Sequence, residues 1–500
     1  MNRKLVVELQ PHQSQHDVDQ FLEIVQGVIR EPLASLETGE KRPYFHPDRP
    51  IICARAPGRL DCMGGIADYS GSLVLELPLA EATFVAAQIC EEPVLEALSL
   101  ASAPGELPRH VKLPTELIEN GKLSDYPQAG AYFASRPADR WASYSLGTIL
   151  ALLYEGKAHL SRGGVRLLIW STVPEGKGVS SSAALEVASM TAVAELLGVA
   201  LEGPELALLC QKVENRIALA PCGVMDQMTS ALGHKGRLFA LRCQPALILP
   251  PVDIPPGVCF WGIDSGVRHS VSGADYTSVR VGAFMGYRIL AELAGLTVRP
   301  TDQPGLVQVD DPRWHGYLAN VRPAEFEAEF AGRLPAELSG EEFLARYQGT
   351  TDPVTKIDPT RRYNIFYPTA HPIYENARVE RFAELLRSDQ PMAHLEELGE
   401  LMFGSHESYS RCGLGTWQTD LIVDLVKAQG PERGLFGAKI TGGGSGGCVA
   451  VLGTPQGAPA IQAICDRYAA ATGYRPYVFS GSSPGAIAFG TFCLLPVPTQ

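Results

Sequence analysis

The chain has 500 residues, 45% of them hydrophobic, and a mean hydropathy of +0.01. That is enough apolar material for a large core and two or more domains, while no stretch of about 18 apolar residues could span a bilayer. A net charge of −13 without a Lys/Arg cluster excludes a nucleic-acid-binding face. The 11 cysteines are odd in number and form no C-x-x-C pair, which reads as free, buried thiols in a reducing cytosol rather than a disulfide frame or a zinc site. A polyanionic ligand would have to be held locally, by helix N-termini, backbone N–H groups, one or two basic side chains and a metal ion.

Residues 1–48 predict a polar, helical lead-in, and their start, MNRKLVVELQPHQSQHD, has no long apolar stretch or small-residue cleavage site, so no signal peptide is expected. From Ile51 to Leu79 the pattern is strand, turn, strand. Residues 95–140 carry several prolines and read as loop. A strand is expected at about 165–173, followed by a glycine-rich turn and an apolar helix from about Ser181 to Leu197, interrupted by Glu186 and several serines. A second helix opens with Pro204 and carries Leu206, Leu209, Cys210, Val213 and Ile217 as one apolar stripe. Short, proline-broken strands span 236–263. The domain junction is placed there, giving domains 1–245 and 246–500, the second with a charged, proline-rich insertion near 297–358. A long helix begins near His371, and the remainder alternates strands and helices. No internal repeat or low-complexity tract is present.

Four segments carry polar chemistry. In Pro174-Glu-Gly-Lys-Gly-Val-Ser-Ser-Ser-Ala-Ala-Leu185, Gly176 and Gly178 permit a tight turn and close backbone approach. Ser180, Ser181 and Ser182 then sit at a helix start, where free N–H groups and the dipole favour an anion. This makes a phosphate cradle but not a Walker loop, because G-x-x-x-x-G-K-[ST] is absent. The same residues also fit an ordinary serine-capped helix. Thr441-Gly-Gly-Gly-Ser-Gly-Gly-Cys448 contains G-x-G-x-x-G, but a strand-like CVAVL follows it. It therefore reads as a tight loop between strands and not as a dinucleotide site. Ala56 to Tyr69 places Arg59, Asp61 and Asp68 in an apolar strand-turn-strand, with turn chemistry and a surface ion pair as the plainer explanation. In Ala220-Pro-Cys-Gly-Val-Met-Asp-Gln227, Asp226 is also placed to cap the next helix, and Glu214 upstream also fits a solvated helix face.

In this order and spacing, the four segments resemble the GHMP kinase family over roughly Arg55 to Val451. The galactokinase branch is nearest, through APGR…DY, P-x-G-x-G-[LV]-SSSA, PCG-x-MDQ, VRHS…YxxxR and TGGG-x-GG. Within it, ARAPGRLDCMGGIADYSGSLVLELP, PCGVMDQMTSALG, FWGIDSGVRHSVSGADYTSVRVGAFMG and HPIYENARVERF are similar to the kinase domains of L-arabinokinases. The plant form carries a glycosyltransferase-like domain ahead of the kinase; here the first motif lies within sixty residues, so that domain is not expected.

The resemblance implies an α/β (α+β) fold of two domains with the active site between them, and an ATP-dependent sugar 1-kinase. The implied acceptor is L-arabinose, with D-galactose as the alternative and a sugar sensor without turnover as a third reading. Asp226 would take the proton of the anomeric hydroxyl, with Arg59 beside it stabilising the transferred phosphoryl group. Glu214 and a serine of the 180–182 run, Ser182 by preference, would hold Mg²⁺. Gly176, Gly178 and Ser180–Ser182 would wrap the phosphates of ATP, and Trp141 would flank adenine. Asp68, Gly223 and Tyr276 match sugar-contacting positions. Where galactokinases carry Glu-His, the Glu accepting from the galactose 6-hydroxyl, this chain has Gly65-Ile66, which counts against galactose. The implied partners are a small sugar and ATP, with no nucleic acid and no membrane, for a monomer or small homo-oligomer in the cytoplasm.

Overall fold

Two long antiparallel strands, Ile51–Met63 and Leu73–Cys90, carry the architecture. The computed structural model describes residues 5–7, 9–10, 16–30, 33–34, 41–100, 107–160, 163–268 and 274–496. Because successive side chains of a strand point to opposite faces, the strands divide most of their residues between two cores, while Leu60, Cys62, Leu75 and Leu77 join a third. Ala54, Ala56, Val85 and Ala87 face one, with the helices Ser143–Tyr154, Ser181–Leu196 and Gly203–Arg216. Ile51, Cys53, Phe84 and Ala86 face the other, with the amphipathic helix His16–Arg30. There Phe84 stacks against Phe21 at 4.9 Å and lies 5.6 Å from Trp170; burial of one such ring contributes about 1.5–3 kcal/mol.

The large sheet is completed by Gly164–Ser171, Val94–Ser99 and Arg109–Pro114 on one side and by Thr491–Pro496 and Leu5–Val7 on the other, with Arg237–Arg242 pairing on Leu73–Glu76. The C-terminal strand thus returns to pair with Ile51–Ala54. A second, four-stranded antiparallel sheet joins Leu435–Ile440, Cys448–Gly453, Cys259–Asp264 and Val478–Ser480, backed by the helices Trp417–Gln429 and Ala458–Thr472. The glycine loop 441–447 connects two neighbouring antiparallel strands of that sheet, as its sequence predicts.

Two expectations are corrected. Residues 95–140 are mostly regular: a hairpin of Val94–Ser99 and Arg109–Pro114, then the helices Glu116–Glu119 and Tyr126–Ala134. The prolines sit where they do no harm. Pro114 ends a strand, and Pro127 lies in the first turn of a helix capped by Asp125, where no N–H is needed. The long helix runs Phe366–Leu386, with Pro372 inside it. A residue before proline usually avoids helical geometry, which is why His371 reads as its start. Residues 297–358 form small sheets and short helices around Trp314, Phe326, Phe330 and Phe343, packed on the helix Ala274–Leu293. None of the eleven cysteines is in a disulfide, and nine of them are buried. Among the described residues, no helix is long and apolar enough to cross a membrane.

Candidate active site

All fourteen residues to which the resemblance assigns a role line one cleft of about 570 Å³, a volume suited to small ligands. The ladder of Ile51–Met63 with Leu73–Cys90 slips register between Pro57 and Arg59 and again between Asp61 and Met63. Such irregularities re-aim side chains, and here they turn Arg59 and Asp61 inward. Gly58 lets the strand pass the phosphate loop: a Cβ there would lie 2.8 Å from the Val179 carbonyl, and the Arg59 N–H donates to that same oxygen at 3.1 Å.

Arg59, 3% exposed, is not a surface ion pair. Its Nε and Nη2 lie 2.8 and 2.6 Å from Asp226 Oδ1, and Nη1 donates to the Gly178 carbonyl at 2.8 Å. Glu76 Oε2 is 3.1 Å from Arg59 Nε, but that N–H is directed at Asp226, and neither Glu76 oxygen has a hydrogen-bond partner. Burial pulls the Arg59 guanidinium down, yet the charges of Asp226, Glu76 and Asp61 outweigh it and hold its pKa above the ordinary value. Burial, then the Asp61 charge, drives Glu76 well above the usual carboxylate range. Asp226 sits in the first turn of Met225–Leu232 and makes no capping bond; its carboxylate is spent on Arg59 and opens partly to the cleft.

The loop 174–182 does not behave as a serine-capped helix either. Ser180, at the cap position of Ser181–Leu196, has φ 58° and ψ 47° and makes no side-chain cap bond. Its hydroxyl is buried without a partner. A non-glycine residue in the left-handed region with an orphaned hydroxyl is strained, and a phosphate oxygen seated among the helix-start N–H groups would satisfy it. Gly176 and Gly178, at φ 72° and 69°, make the turn. Trp141 closes the far wall, its ring 4.9 Å beneath the guanidinium of Arg109, which is itself paired with Glu175.

Glu214 is 2% exposed at the end of Gly203–Arg216, not on a solvated face. Burial, then the Asp226 charge, pushes its pKa up to about 7, while Ser182, Cys222 and Gln227 pull it partway back. Gln227 Nε2 bridges Glu214 at 2.5 Å and the fully buried Glu186 at 3.1 Å. Glu186 and Gln227 each keep one buried, partnerless oxygen. Among the described residues no three His, Cys, Asp or Glu side chains converge as a metal site. The hard oxygens of Glu214 and Ser182 suit Mg²⁺, with the remaining ligands coming from phosphate and water.

At the other end, Asp68 is buried, and burial followed by the Asp226 charge lifts its pKa to about 7. A Cβ on Gly223 would overlap its Oδ2, so only glycine allows this approach. Tyr276 packs edge-on to Tyr69 at 6.1 Å. Sequence reasoning missed Arg140, Tyr144, Arg268 and Gly442–Gly443, which also line the cleft. It also missed Lys439, fully buried, whose Nζ lies 2.6 Å from Asp61 Oδ2. Burial pushes the Asp61 carboxyl up, but Lys439 and Arg59 hold it below its ordinary value. His269 and Ser270 of the VRHS motif lie outside the described residues.

The family described as GHMP kinases N terminal domain matches residues 144–234, which contain the loop 174–182, Glu214 and Asp226. The chain is 44% identical to L-arabinokinase of Arabidopsis thaliana over 89% of its own length and 47% of that protein's, so it spans about half of the plant relative. Galactokinase of Chloroflexus aggregans is 31% identical over 81% of this chain and 84% of its own. Galactokinase of Chloroflexus aurantiacus is 30% identical over 89% and 94%. Among solved structures, Lactococcus lactis galactokinase complexed with galactose superposes with a TM-score of 0.63 at 19% identity, covering 94% of this chain and 99% of that one. Methanococcus jannaschii mevalonate kinase gives 0.51 at 15%, covering 89% and 98%. These two share the fold.

Proposed function

The chain belongs to the GHMP kinase family, and from that premise we propose that it is an ATP-dependent sugar 1-kinase that phosphorylates the anomeric hydroxyl of L-arabinose. The observation that carries the reading is the Arg59–Asp226 pair, set between the strained, anion-seeking helix start at Ser180 and the buried Asp68.

In this reading Ser180–Ser182 and the loop N–H groups hold the β- and γ-phosphates, and Trp141 flanks the base. Asp68, with Gly223 and Tyr276 beside it, accepts hydrogen bonds from sugar hydroxyls. Asp226 takes the proton of the anomeric hydroxyl as its oxygen bonds to the γ-phosphorus; the bond from that phosphorus to the β–γ bridging oxygen breaks, and ADP leaves. Arg59 meets the charge on the phosphoryl group in flight. Transfer of this kind needs positioning and charge neutralisation above all. Glu214 and Ser182 are the residues to hold Mg²⁺, which when bound offsets phosphate charge. We place the cleft between an N-terminal domain, 1–245, whose large sheet also takes in the returning strand Thr491–Pro496, and a C-terminal domain made of the rest of 246–500. Eleven free thiols support a cytoplasmic setting.

L-Arabinose rather than D-galactose is supported by the 44% identity to the plant L-arabinokinase and by Gly65–Ile66. L-Arabinopyranose has the galactopyranose ring configuration without the hydroxymethyl arm. A 6-hydroxyl against Ile66 would be buried unpartnered, at about 1–3 kcal/mol, or roughly 5–150-fold. ADP release measured across L-arabinose, D-galactose, D-fucose and D-glucuronate checks this. The highest kcat/KM should fall on L-arabinose; an equal or higher value for D-galactose would refute the assignment.

A further inference from the structure

We propose that Tyr409, on the helix Leu395–Arg411, is a positioning residue that sets the selectivity of the sugar pocket by filling the space of a side chain at position 65 and pinning Ile66. The proposal rests on the reading of positions 65 and 66 as the wall facing C5 of the sugar. Gly65 has φ +31°, and a Cβ built on it would overlap the Tyr409 hydroxyl, with the ring carbon Cζ 2.6 Å away and Asp61 Oδ2 2.9 Å away. Position 65 is therefore not an open niche in which water could sit behind the sugar; a phenol oxygen already occupies it.

That oxygen is also bonded to both walls of the cleft. The Ile66 N–H donates to it at 2.9 Å, and it donates to the Gly442 carbonyl at 2.9 Å. Tyr409 is fully buried and does not line the cleft, whereas Gly65, Ile66 and Gly442 do. It thus acts through them. Its ring is held in turn, edge-on to His371 at 5.2 Å and beneath Lys439 Nζ at 5.2 Å. Both walls keep a second anchor on Asp61: the Gly442 N–H donates to Oδ2 at 3.2 Å and the Gly65 N–H to Oδ1 at 3.1 Å, and the neighbouring Thr441 hydroxyl accepts from the Asp61 N–H at 2.8 Å. Loss of the phenol oxygen therefore leaves the Ile66 N–H without its acceptor while Gly65 and Gly442 stay tied to Asp61.

The test is Tyr409→Phe, which keeps the ring and removes the oxygen, assayed with L-arabinose, D-fucose and D-galactose, three sugars that differ only in the group on C5. The kcat/KM ratio of L-arabinose to D-galactose should move toward unity by about three- to tenfold, the value of one buried hydrogen bond. The change should lie in the sugar KM, with kcat and the ATP KM unchanged. An unaltered ratio, or a loss shared equally by all three sugars and ATP, would overturn the proposal and leave Tyr409 a packing residue. Gly65→Ala supplies an independent arm. Its loss of activity should be smaller, though not abolished, in the Tyr409→Phe background, because the closest overlapping atom is gone while the ring carbon at 2.6 Å remains; equal losses would count against the proposal. Which sugar the native enzyme prefers tests the L-arabinose reading, and the shift in ratio tests Tyr409, so each can fail alone.

Discussion

In the proposed reading the cleft has a phosphate end and a sugar end, and they are built in different ways. The phosphate end is local: a strand, two glycines at positive φ and a helix start within about a dozen consecutive residues, with backbone N–H groups as the working parts. The sugar end is assembled from distant segments, with Asp68 against Gly223, Asp61 against Lys439, and Ile66 tied through Tyr409 to Gly442. A local site is fixed by spacing alone. A site gathered from many segments can change through one distant side chain while the phosphate end stays intact.

Substitution at the junction of the two ends should have the largest effect. Asp226→Asn is nearly isosteric and cannot take a proton, so kcat should fall about 10²–10⁴-fold with sugar and ATP binding retained. Near-native kcat in that variant would return Asp226 to a purely structural role beside Arg59. At the phosphate end, Glu214→Gln should raise the Mg²⁺ concentration needed for half-maximal rate sharply while leaving sugar binding intact; an unchanged Mg²⁺ titration would remove Glu214 from the metal.

At the sugar end, Asp68 gives the smaller and more pH-dependent effect. Its folded pKa of about 7 lies above the ordinary 3.8, so the folded chain binds this proton more tightly than the unfolded one. Its contribution to stability is present below about pH 4, falls as pH rises toward 7, and is then level. Asp68→Asn should therefore stabilise the ligand-free protein at pH 8 by about 1–3 kcal/mol and weaken sugar binding, read together by thermal melting and the sugar KM. In the native enzyme the sugar KM should rise as pH falls below 7, and that dependence should vanish in the variant. A native sugar KM independent of pH between 5 and 8 would mean that Asp68 does not accept from the sugar as a carboxylate.

How much of this was legible follows the same division. Ser180–Ser182, Gly176, Gly178 and the strand-loop-strand at 441–447 announce themselves by neighbours in the sequence. Glu186 did not: it reads as a polar interruption of an apolar helix, and only the fold brings it to Gln227, 41 residues on. Tyr409 and Lys439 meet Asp61 across 348 and 378 residues, and no periodicity or spacing links positions so far apart. The departure at Gly65–Ile66 was visible, but not that a tyrosine oxygen fills the space it leaves. The prolines of 95–140 and Pro372 misled for a local reason, since their cost depends on whether the lost N–H had a partner.

The most direct measurement is ³¹P and ¹H NMR of the product formed from ATP and L-arabinose by the native enzyme, alongside D-galactose under the same conditions. The account predicts ADP and a sugar phosphate whose phosphorus couples to the anomeric proton, formed faster from L-arabinose. Phosphate on another hydroxyl, ATP hydrolysis without a sugar phosphate, or faster conversion of D-galactose would contradict it.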